Sequence, residues 1–321
     1  MVEAYARLEM HRWMLRDNVR NEAYRQAIMK VVRPGDTVLD MGAGSGILSL
    51  FAVQAGAAKV YAVERTDIAA VARKIIERNG FSDRISVIQN DLEEINLPDK
   101  ADVIISEWMG GFGVDENMLA PLVIARDRFM KPGGKIIPGR VTALLAPMWV
   151  VELDDGLQHW RSQPHGVDLS VISELSADET VMTQWRVTPD DLLAPPQLMW
   201  SHDAYTSTLE EADRPFVAKL AFTATRGGGL SAMAAWFDAD LGEGVSLTNA
   251  VGAPDTHWGR YLFPLNRTIE VRPGASIQAE IRCEPSAPGC CEMYWSVQVD
   301  DGPVEQHDTR PRRAAAIARD G

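Results

Sequence analysis

Residues 37–55, TVLDMGAGSGILSLFAVQA, join a short apolar strand to an apolar helix through a glycine-rich turn. Glycines let the backbone approach a ligand closely, and the first turn of a helix offers free N–H groups. We therefore expect this turn to bind a ligand. The alternative is a turn with a purely structural role, because a glycine-rich turn alone is weak evidence of ligand binding.

Outward from this stretch, apolar strands and helical stretches alternate as far as residue 138. The predicted strands are residues 37–41, 59–63, 85–88, 102–105 and 135–138. The predicted helices are residues 1–32, 47–55, 67–79 and 119–129. Such alternation indicates βαβ units and a parallel sheet, so the predicted fold class is α/β.

After residue 138 the apolar segments become short and are separated by Gly, Pro or Asp. This pattern predicts an antiparallel sheet, barrel or sandwich. Residues 154–200 are less regular, with tryptophans at 160, 185 and 200, and we interpret them as an inserted arm. The predicted domains are N-terminal helices (1–32), an α/β domain (33–138), an antiparallel β-barrel-like domain (139–308) and a tail (309–321).

Composition narrows the possible partners. The formal net charge is −13, which argues against nucleic acid as a partner and favours cationic partners.

The cysteines Cys283, Cys290 and Cys291 lack a CxxC spacing, so we predict neither a disulfide framework nor a metal site. Reduced thiols favour an intracellular, cytoplasmic location. No apolar stretch has the ~18 residues of a membrane span, so we expect no membrane partner.

Acidic residues near the glycine-rich turn indicate which ligand it binds. A dinucleotide site would have its third glycine at position 47, where Ile47 stands. Asp40, just before the first glycine, would repel a pyrophosphate but attract a cationic amino acid. Glu64 ends the next strand and can bind ribose hydroxyls. The pattern resembles the S-adenosylmethionine (SAM) site of class I methyltransferases, with NAD or FAD as the alternative.

A second glycine-rich loop carries a pair of acids. Residues 104–119, IISEWMGGFGVDENML, place Glu107 and Glu116 on opposite arms of the loop. Two such carboxylates can face each other across a pocket, which suits a planar guanidinium with its fixed fork of N–H donors. A solvated loop with stray acids is the alternative.

Several segments together resemble the protein arginine methyltransferase family, from the N-terminus to the end of the predicted barrel. The acidic loop and a Thr-His-Trp sequence are specific to that family. The matching segments are Tyr5, HRWMLRDNVR at 11–20, VLDMGAGSGILS at 38–49, VYAVE at 60–64, SEWMG at 106–110 with Glu116, and THW at 256–258.

The resemblance implies SAM as cofactor, S-adenosylhomocysteine as product and a Rossmann-like methyltransferase domain. Arg20 would pair with the carboxylate of the cofactor, with His11 nearby. Asp40, Gly42 and Gly44 would hold the methionine moiety. Glu64 would hold the ribose, and Leu92 and Glu93 would hold the adenine.

The resemblance also implies the catalytic and substrate-binding residues. Glu107 and Glu116 would clamp the substrate guanidinium. Met14 would lie beside the transferred methyl group, and Tyr5 would help to close the pocket. The Thr-His-Trp loop would have Trp258 packed under it. The proton would leave through Glu116 or through a pair formed by Asp17 and His257.

The implied activity is N-methylation of the guanidino nitrogen of arginine in a protein, by a homodimer whose arm contacts the partner's α/β domain. Gly111 and Asp115 stand where the family has bulkier residues, so we expect a more open and more acidic pocket mouth. Free L-arginine or a guanidino natural product is therefore an alternative substrate. A non-catalytic interaction module with the same fold is a further alternative.

Overall fold

The computed structural model describes residues 7–287 and 290–310. Two helices come first, α1 (Leu8–Arg16) and α2 (Asn18–Val31). They are separated by Asp17, whose side chain accepts the backbone N–H of Arg20 at 2.9 Å and so caps α2. The predicted N-terminal helices are thus present. Tyr5 and residues 311–321 of the predicted tail lie outside the described residues.

A five-stranded parallel sheet follows, in the order β3-β2-β1-β4-β5. The order reverses between β1 and β4, so the carboxyl ends of these two strands flank a crevice where ligands bind in such folds. The strands are β1 (Thr37–Met41), β2 (Lys59–Glu64), β3 (Ile85–Gln89), β4 (Ala101–Ser106) and β5 (Met130–Ile137). The helices between them are α3 (Ile47–Gln54), α4 (Ile68–Arg78) and α5 (Leu119–Phe129), with a 3-10 turn at Leu92–Glu94.

The two central strands are buried along their length, which anchors the crevice. Val38 and Leu39 in β1 and Ile104 and Ile105 in β4 are all fully buried. Full burial of such a side chain contributes about 1.5–3 kcal/mol relative to exposure. Central strands of a parallel sheet are covered on both faces, which explains their continuous apolar sequence.

The rest of the chain is built mainly from two antiparallel sheets. The larger has the order β7-β12-β10-β6-β8 with β11 paired to β10, and the smaller has the order β15-β14-β13-β9. Phe263 of the first and Trp295 of the second contact each other, with ring centroids 5.5 Å apart. The antiparallel prediction is confirmed. The strands are β6 (Arg140–Met148), β7 (Val181–Thr183), β8 (Gln197–Asp203), β9 (Phe216–Thr223), β10 (Gly228–Gly242), β11 (Val245–Thr248), β12 (Arg260–Val271), β13 (Ser276–Ala287), β14 (Cys290–Val299) and β15 (Glu305–Asp308).

The segment after β6 forms helices α6 (Val151–Arg161) and α7 (Ser170–Ser176), with 3-10 turns at Pro164–Gly166 and Pro189–Asp191. The structure differs from the predicted arm at its end, because Trp200 belongs to β8, which pairs with β6. Helix α8 (Leu209–Ala212) follows β8. Among the described helices, none is long and apolar enough to cross a membrane.

Candidate active site

A cavity lies at the carboxyl ends of the central strands and opens to solvent. Its wall comes from α1, α2, the glycine-rich turn, the end of β2, the Leu92–Glu94 turn and the acidic loop. We call residues 107–116 the double-glutamate loop and residues 256–258 the Thr-His-Trp segment. The predicted site residues on the cavity wall are His11, Met14, Arg20, Gly42, Gly44, Glu64, Leu92, Glu93, Glu107 and Glu116.

The glycine-rich turn packs against α1 at Gly44. This residue has φ +54°, a conformation that side chains disfavour. A Cβ at this position would also lie only 2.9 Å from Cε1 of His11. The glycine therefore lets helix α1 close over the turn, which brings His11 to the cavity.

Glu64 is fixed at the cavity wall by the same turn. Its carboxylate accepts the backbone N–H groups of Gly44 at 2.9 Å and Thr66 at 2.8 Å. A carboxylate has about four acceptor positions, so further hydrogen bonds to ligand hydroxyls remain possible. This agrees with the ribose role that the sequence implied.

Asp40 does not line the cavity, in contrast to its predicted contact with the methionine moiety. It lies beneath the turn, fully buried, where its Oδ2 accepts the hydroxyl of Ser49 at 2.6 Å. Burial raises the pKa of this carboxyl to about 6. Successive side chains of a strand point to opposite faces, and Asp40 faces α3. Its charge can act on the cavity only from behind the turn.

Arg20 links α2 to the double-glutamate loop. Its Nη2 donates to Oε2 of Glu107 at 3.1 Å, and its Nη1 donates to Oδ1 of Asn21 at 2.8 Å. Its buried Nε has no hydrogen-bond partner among the described residues. Arg20 therefore keeps donor capacity for an anionic group in the cavity, such as the carboxylate of an amino acid.

The far end of the cavity is held by a residue that the sequence did not indicate. Arg128 of α5 donates to the carbonyl groups of Glu93 at 2.7 Å and Ile95 at 2.6 Å. These bonds fasten the Leu92–Glu94 turn to α5. The spacing of Arg128 carries no local signal, because its partners lie more than thirty residues earlier in the chain.

The wall of the cavity suits SAM. The basic Arg20 and His11 at one end match its carboxylate, Glu64 in the middle matches its ribose hydroxyls, and the turn at Leu92 and Glu93 matches its base. The buried Nε of Arg20, without a protein partner in the described part of the chain, is the feature that most directly calls for such a ligand.

Glu107 and Glu116 both line this cavity, together with Met14. Glu107 follows β4 and Glu116 precedes α5, so the loop between the two elements brings both side chains to one space. The sequence prediction that they face a common pocket agrees with this placement.

Asp115 and Gly111 do not widen or acidify the mouth of the cavity, so that expectation was wrong. Asp115 is buried and accepts the backbone N–H groups of Gly111 at 2.8 Å and Phe112 at 3.1 Å. Burial raises its pKa. A Cβ on Gly111 would lie 2.3 Å from Cδ2 of Tyr261. Both residues pack inward, against the antiparallel sheet.

Asp17 and His257 form the pair that the resemblance implied, but neither lines the cavity. Oδ2 of Asp17 lies 2.9 Å from Nδ1 of His257 and accepts its backbone N–H at 2.7 Å. Burial alone would raise the pKa of Asp17, but hydrogen bonds from His257 and Arg20 hold it below its usual value. The pair therefore joins the start of α2 to the Thr-His-Trp segment.

Trp258 is buried behind the double-glutamate loop. Its Nε1 donates to the carbonyl of Met109 at 2.8 Å, and its ring contacts Phe237 edge-on. It does not line the cavity, so its predicted contact with the substrate is replaced by a contact with the loop backbone.

Similarity to known proteins covers nearly the whole chain. Residues 25–138 match the family model of the ribosomal protein L11 methyltransferase, and residues 142–298 match that of the arginine methyltransferase oligomerization subdomain. Protein arginine N-methyltransferase 6 of Danio rerio is 35% identical over 318 residues, which cover 95% of this chain and 90% of that protein. The chain belongs to the protein arginine N-methyltransferase family.

Other members of this family agree with the assignment. Protein arginine N-methyltransferase 1 of Chlamydomonas reinhardtii is 35% identical over 292 residues, covering 89% of this chain and 83% of that protein. A chain of the Trypanosoma brucei PRMT1 enzyme-prozyme heterotetrameric complex with AdoHcy superposes with a TM-score of 0.85 at 30% identity, covering 96% of this chain and all of that one. The predicted family, fold and SAM cofactor are confirmed, and the chain is a SAM-dependent arginine N-methyltransferase.

Proposed function

We propose that the chain methylates arginine side chains of proteins and that Glu107 and Glu116 bind the reacting guanidinium. The observation that carries this proposal is that both carboxylates line the same cavity as Arg20 and the glycine-rich turn. Their positions suit a cation that enters beside the cofactor site.

Charge balance explains why two carboxylates are needed. The guanidinium of arginine is cationic in water. When bound, SAM supplies an electrophilic methyl group on a cationic sulfonium. Glu107 and Glu116 bring the local sum of charges near zero, which lowers the repulsion between the two reactants. They also draw positive charge toward the nitrogens that they bind, which leaves the remaining nitrogen more able to attack.

Orientation is the second contribution of the site. The contact between Arg20 and Glu107 fixes one carboxylate, with both side chains largely buried. Because a buried ion pair holds its geometry, the guanidinium meets a preformed partner. Holding the reacting groups in line supplies much of the rate of such transfers.

We propose Glu116 as the group that accepts the proton lost by the substrate. Asp17 and His257 lie off the cavity, and the oxygens of Asp17 already accept hydrogen bonds from Arg20 and His257. The lowered pKa of Asp17 makes it a weak base. We assign this pair the task of holding α2, and with it Arg20, against the Thr-His-Trp segment.

We further propose that the enzyme is a homodimer. The match to the arginine methyltransferase oligomerization subdomain supports an oligomer. Helices α6 and α7 and the turn between them expose Val151, Val167 and Val171, each about half accessible to solvent. An interface buries such side chains, so we assign this arm the contact with the partner's α/β domain.

The location is proposed to be the cytoplasm. Cys283, Cys290 and Cys291 form no disulfide in the described part of the chain, and free thiols persist in reducing compartments. Cell fractionation with antibody detection tests this proposal, and recovery in a secreted fraction would contradict it.

The substrate is tested by incubating the enzyme with labelled SAM and, in separate reactions, an arginine-glycine-rich peptide, free arginine and no acceptor. We expect label on the peptide. Label on free arginine alone would favour the metabolite substrate, whose main support was the open pocket mouth. Tight SAM binding without any label would favour the non-catalytic interaction module.

A further inference from the structure

Asn249 is a fully buried side chain that contacts both functional loops. It follows β11, and its Oδ1 accepts the backbone N–H of Phe237 at 2.9 Å. Its Nδ2 donates to the carbonyl of Gly111 at 2.8 Å and to that of Gly259 at 3.3 Å. The amide orientation follows from these partners, because an N–H requires an acceptor and the two carbonyls require donors.

The double-glutamate loop depends on such a donor because its glycine turn is buried. The N–H of Gly111 is taken by Asp115, and the space that its side chain would need is filled by Tyr261. The carbonyl of Gly111 is met by Asn249. A buried backbone carbonyl without a donor is costly, so this amide completes the hydrogen bonding of the turn.

Asn249 and Trp258 hold the same loop from one side. Trp258 donates to the carbonyl of Met109, and Asn249 donates to that of Gly111, two residues further on. Asn249 also bonds to Gly259, the residue after Trp258. One amide thus sets the distance between the double-glutamate loop and the Thr-His-Trp segment.

We propose that Asn249 is a positioning residue for methyl transfer. Its amide keeps the double-glutamate loop aligned with the Thr-His-Trp segment, so that Glu107 and Glu116 meet the substrate guanidinium together. The proposal rests on the proposed function, because it assigns Asn249 an effect on the guanidinium clamp rather than on the cofactor.

The variant Asn249→Asp removes the N–H donor of the side chain and leaves the rest of the side chain unchanged. The introduced carboxyl keeps an oxygen for the N–H of Phe237 but presents its other oxygen to the carbonyls of Gly111 and Gly259. When ionised it repels both carbonyls, and when protonated it offers one O–H donor. Burial raises the pKa of such a carboxyl. Activity relative to wild type should therefore recover as the pH falls.

The experiment measures kcat/KM for an arginine-glycine-rich peptide between pH 6 and pH 9, for the wild type and Asn249→Asp. Circular dichroism gives the folded fraction, and calorimetry gives the Kd for SAM. We expect kcat/KM of the variant to be about 10- to 100-fold below wild type at pH 9. The kcat/KM of the variant divided by that of wild type should rise as the pH falls. The Kd for SAM should stay within about threefold of wild type.

Thr248→Val is the matched control. Among the described residues, the hydroxyl of Thr248 bonds only to the backbone of Phe237 and Ala250, at 2.8 and 3.0 Å, and reaches neither the double-glutamate loop nor the Thr-His-Trp segment. The kcat/KM of Thr248→Val should stay close to that of wild type at every pH.

The proposal would be overturned if kcat/KM of Asn249→Asp relative to wild type did not change with pH. It would also be overturned if the loss of kcat/KM matched the loss of folded protein and of SAM affinity. If this variant does not fold, Asn249→Ser replaces it, and wild-type kcat/KM in that variant would overturn the proposal. A wild-type enzyme that labels no peptide would instead reject the proposed function, so the two failures are distinguishable.

Discussion

The carboxylates around the cavity differ in how their charge is compensated. Glu107 is paired with Arg20, and Glu64 accepts two backbone N–H groups. In the described part of the chain, the only side-chain donor to Asp40 is the hydroxyl of Ser49. Burial raises the pKa of Asp40 to about 6, and the charge of Glu64 adds to the effect. At the residue scale, ionisation of the buried Asp40 carboxyl therefore costs stability.

This difference predicts a pH-dependent effect of Asp40→Asn. A carboxyl whose pKa is raised by folding gives its full contribution to stability below its unfolded pKa and loses it as the pH rises through about 6. The amide does not titrate. The free energy of unfolding of the variant minus that of wild type should therefore increase by about 2 kcal/mol between pH 4.5 and pH 7.5. Urea denaturation at both pH values measures it, and a pH-independent difference would contradict it.

At the scale of elements, helices fasten the loops that carry the site. Asp17 caps α2 and binds the Thr-His-Trp segment, and Arg128 of α5 binds the Leu92–Glu94 turn. Helix α2 and the Leu92–Glu94 turn are thus held by hydrogen bonds from distant parts of the chain, which gives these parts of the cavity a defined shape before ligands bind.

Arg128→Met should weaken SAM binding by about tenfold, because the carbonyl groups of Leu92, Glu93 and Ile95 lose their hydrogen bonds to a charged donor while the apolar stem is kept. Arg126→Met is the control. Arg126 lies on the same helix and donates to the carbonyls of Ala204 and Ser207, away from the cavity. Calorimetry gives the Kd for SAM of both variants. An equal loss of SAM affinity in the two variants would show that α5 affects binding only through the stability of the fold.

The sequence predicts those parts of the site whose signals are local. The glycine-rich turn of residues 42–46 and the double-glutamate loop each lie within one short stretch between a strand and a helix. Asp40 points to Ser49, and Asp115 points to the backbone of Gly111 and Phe112. The residue spacing marks neither contact, so the sequence did not indicate that these two side chains are buried. Arg128 and Asn249 act on partners far away in the chain, so spacing could not reveal them.

Some strands lack the apolar or alternating pattern from which strands are predicted. The first half of β12 contains Pro264, which cannot donate to a sheet, and the register with β10 shifts beside it. The sequence EQHD of β15 is entirely polar, yet it pairs with β14 at the edge of the smaller sheet. Residues 197–200 of β8 were assigned to the arm, because residues 154–200 have a less regular pattern. In each case, pairing with neighbouring strands decided the structure.

At the scale of the whole molecule, the arm and the cavity belong to different parts of the fold. The exposed apolar side chains of α6 and α7 lie on the arm, whereas the cavity lies at the parallel sheet. In the proposed dimer, the arm is therefore available to the partner without blocking the cavity of its own chain.

Val171→Glu should shift the enzyme toward monomer, because a charge in the interface loses its hydration without gaining a partner. Val304→Glu is the control, since Val304 is about as exposed but lies outside the arm. Size-exclusion chromatography with light scattering gives the masses. A dimer in both variants would contradict the assigned interface.

The central claim is that Glu107 binds the guanidinium and not the cofactor. It is tested most directly by measuring kcat for peptide methylation and the Kd for SAM in Glu107→Gln, with the exposed Glu210→Gln as control. We expect kcat to fall by roughly 100-fold, because a charged hydrogen bond to the substrate is lost, and the Kd for SAM to stay within about threefold. Unchanged kcat in Glu107→Gln, or an equal loss in SAM affinity, would contradict the claim.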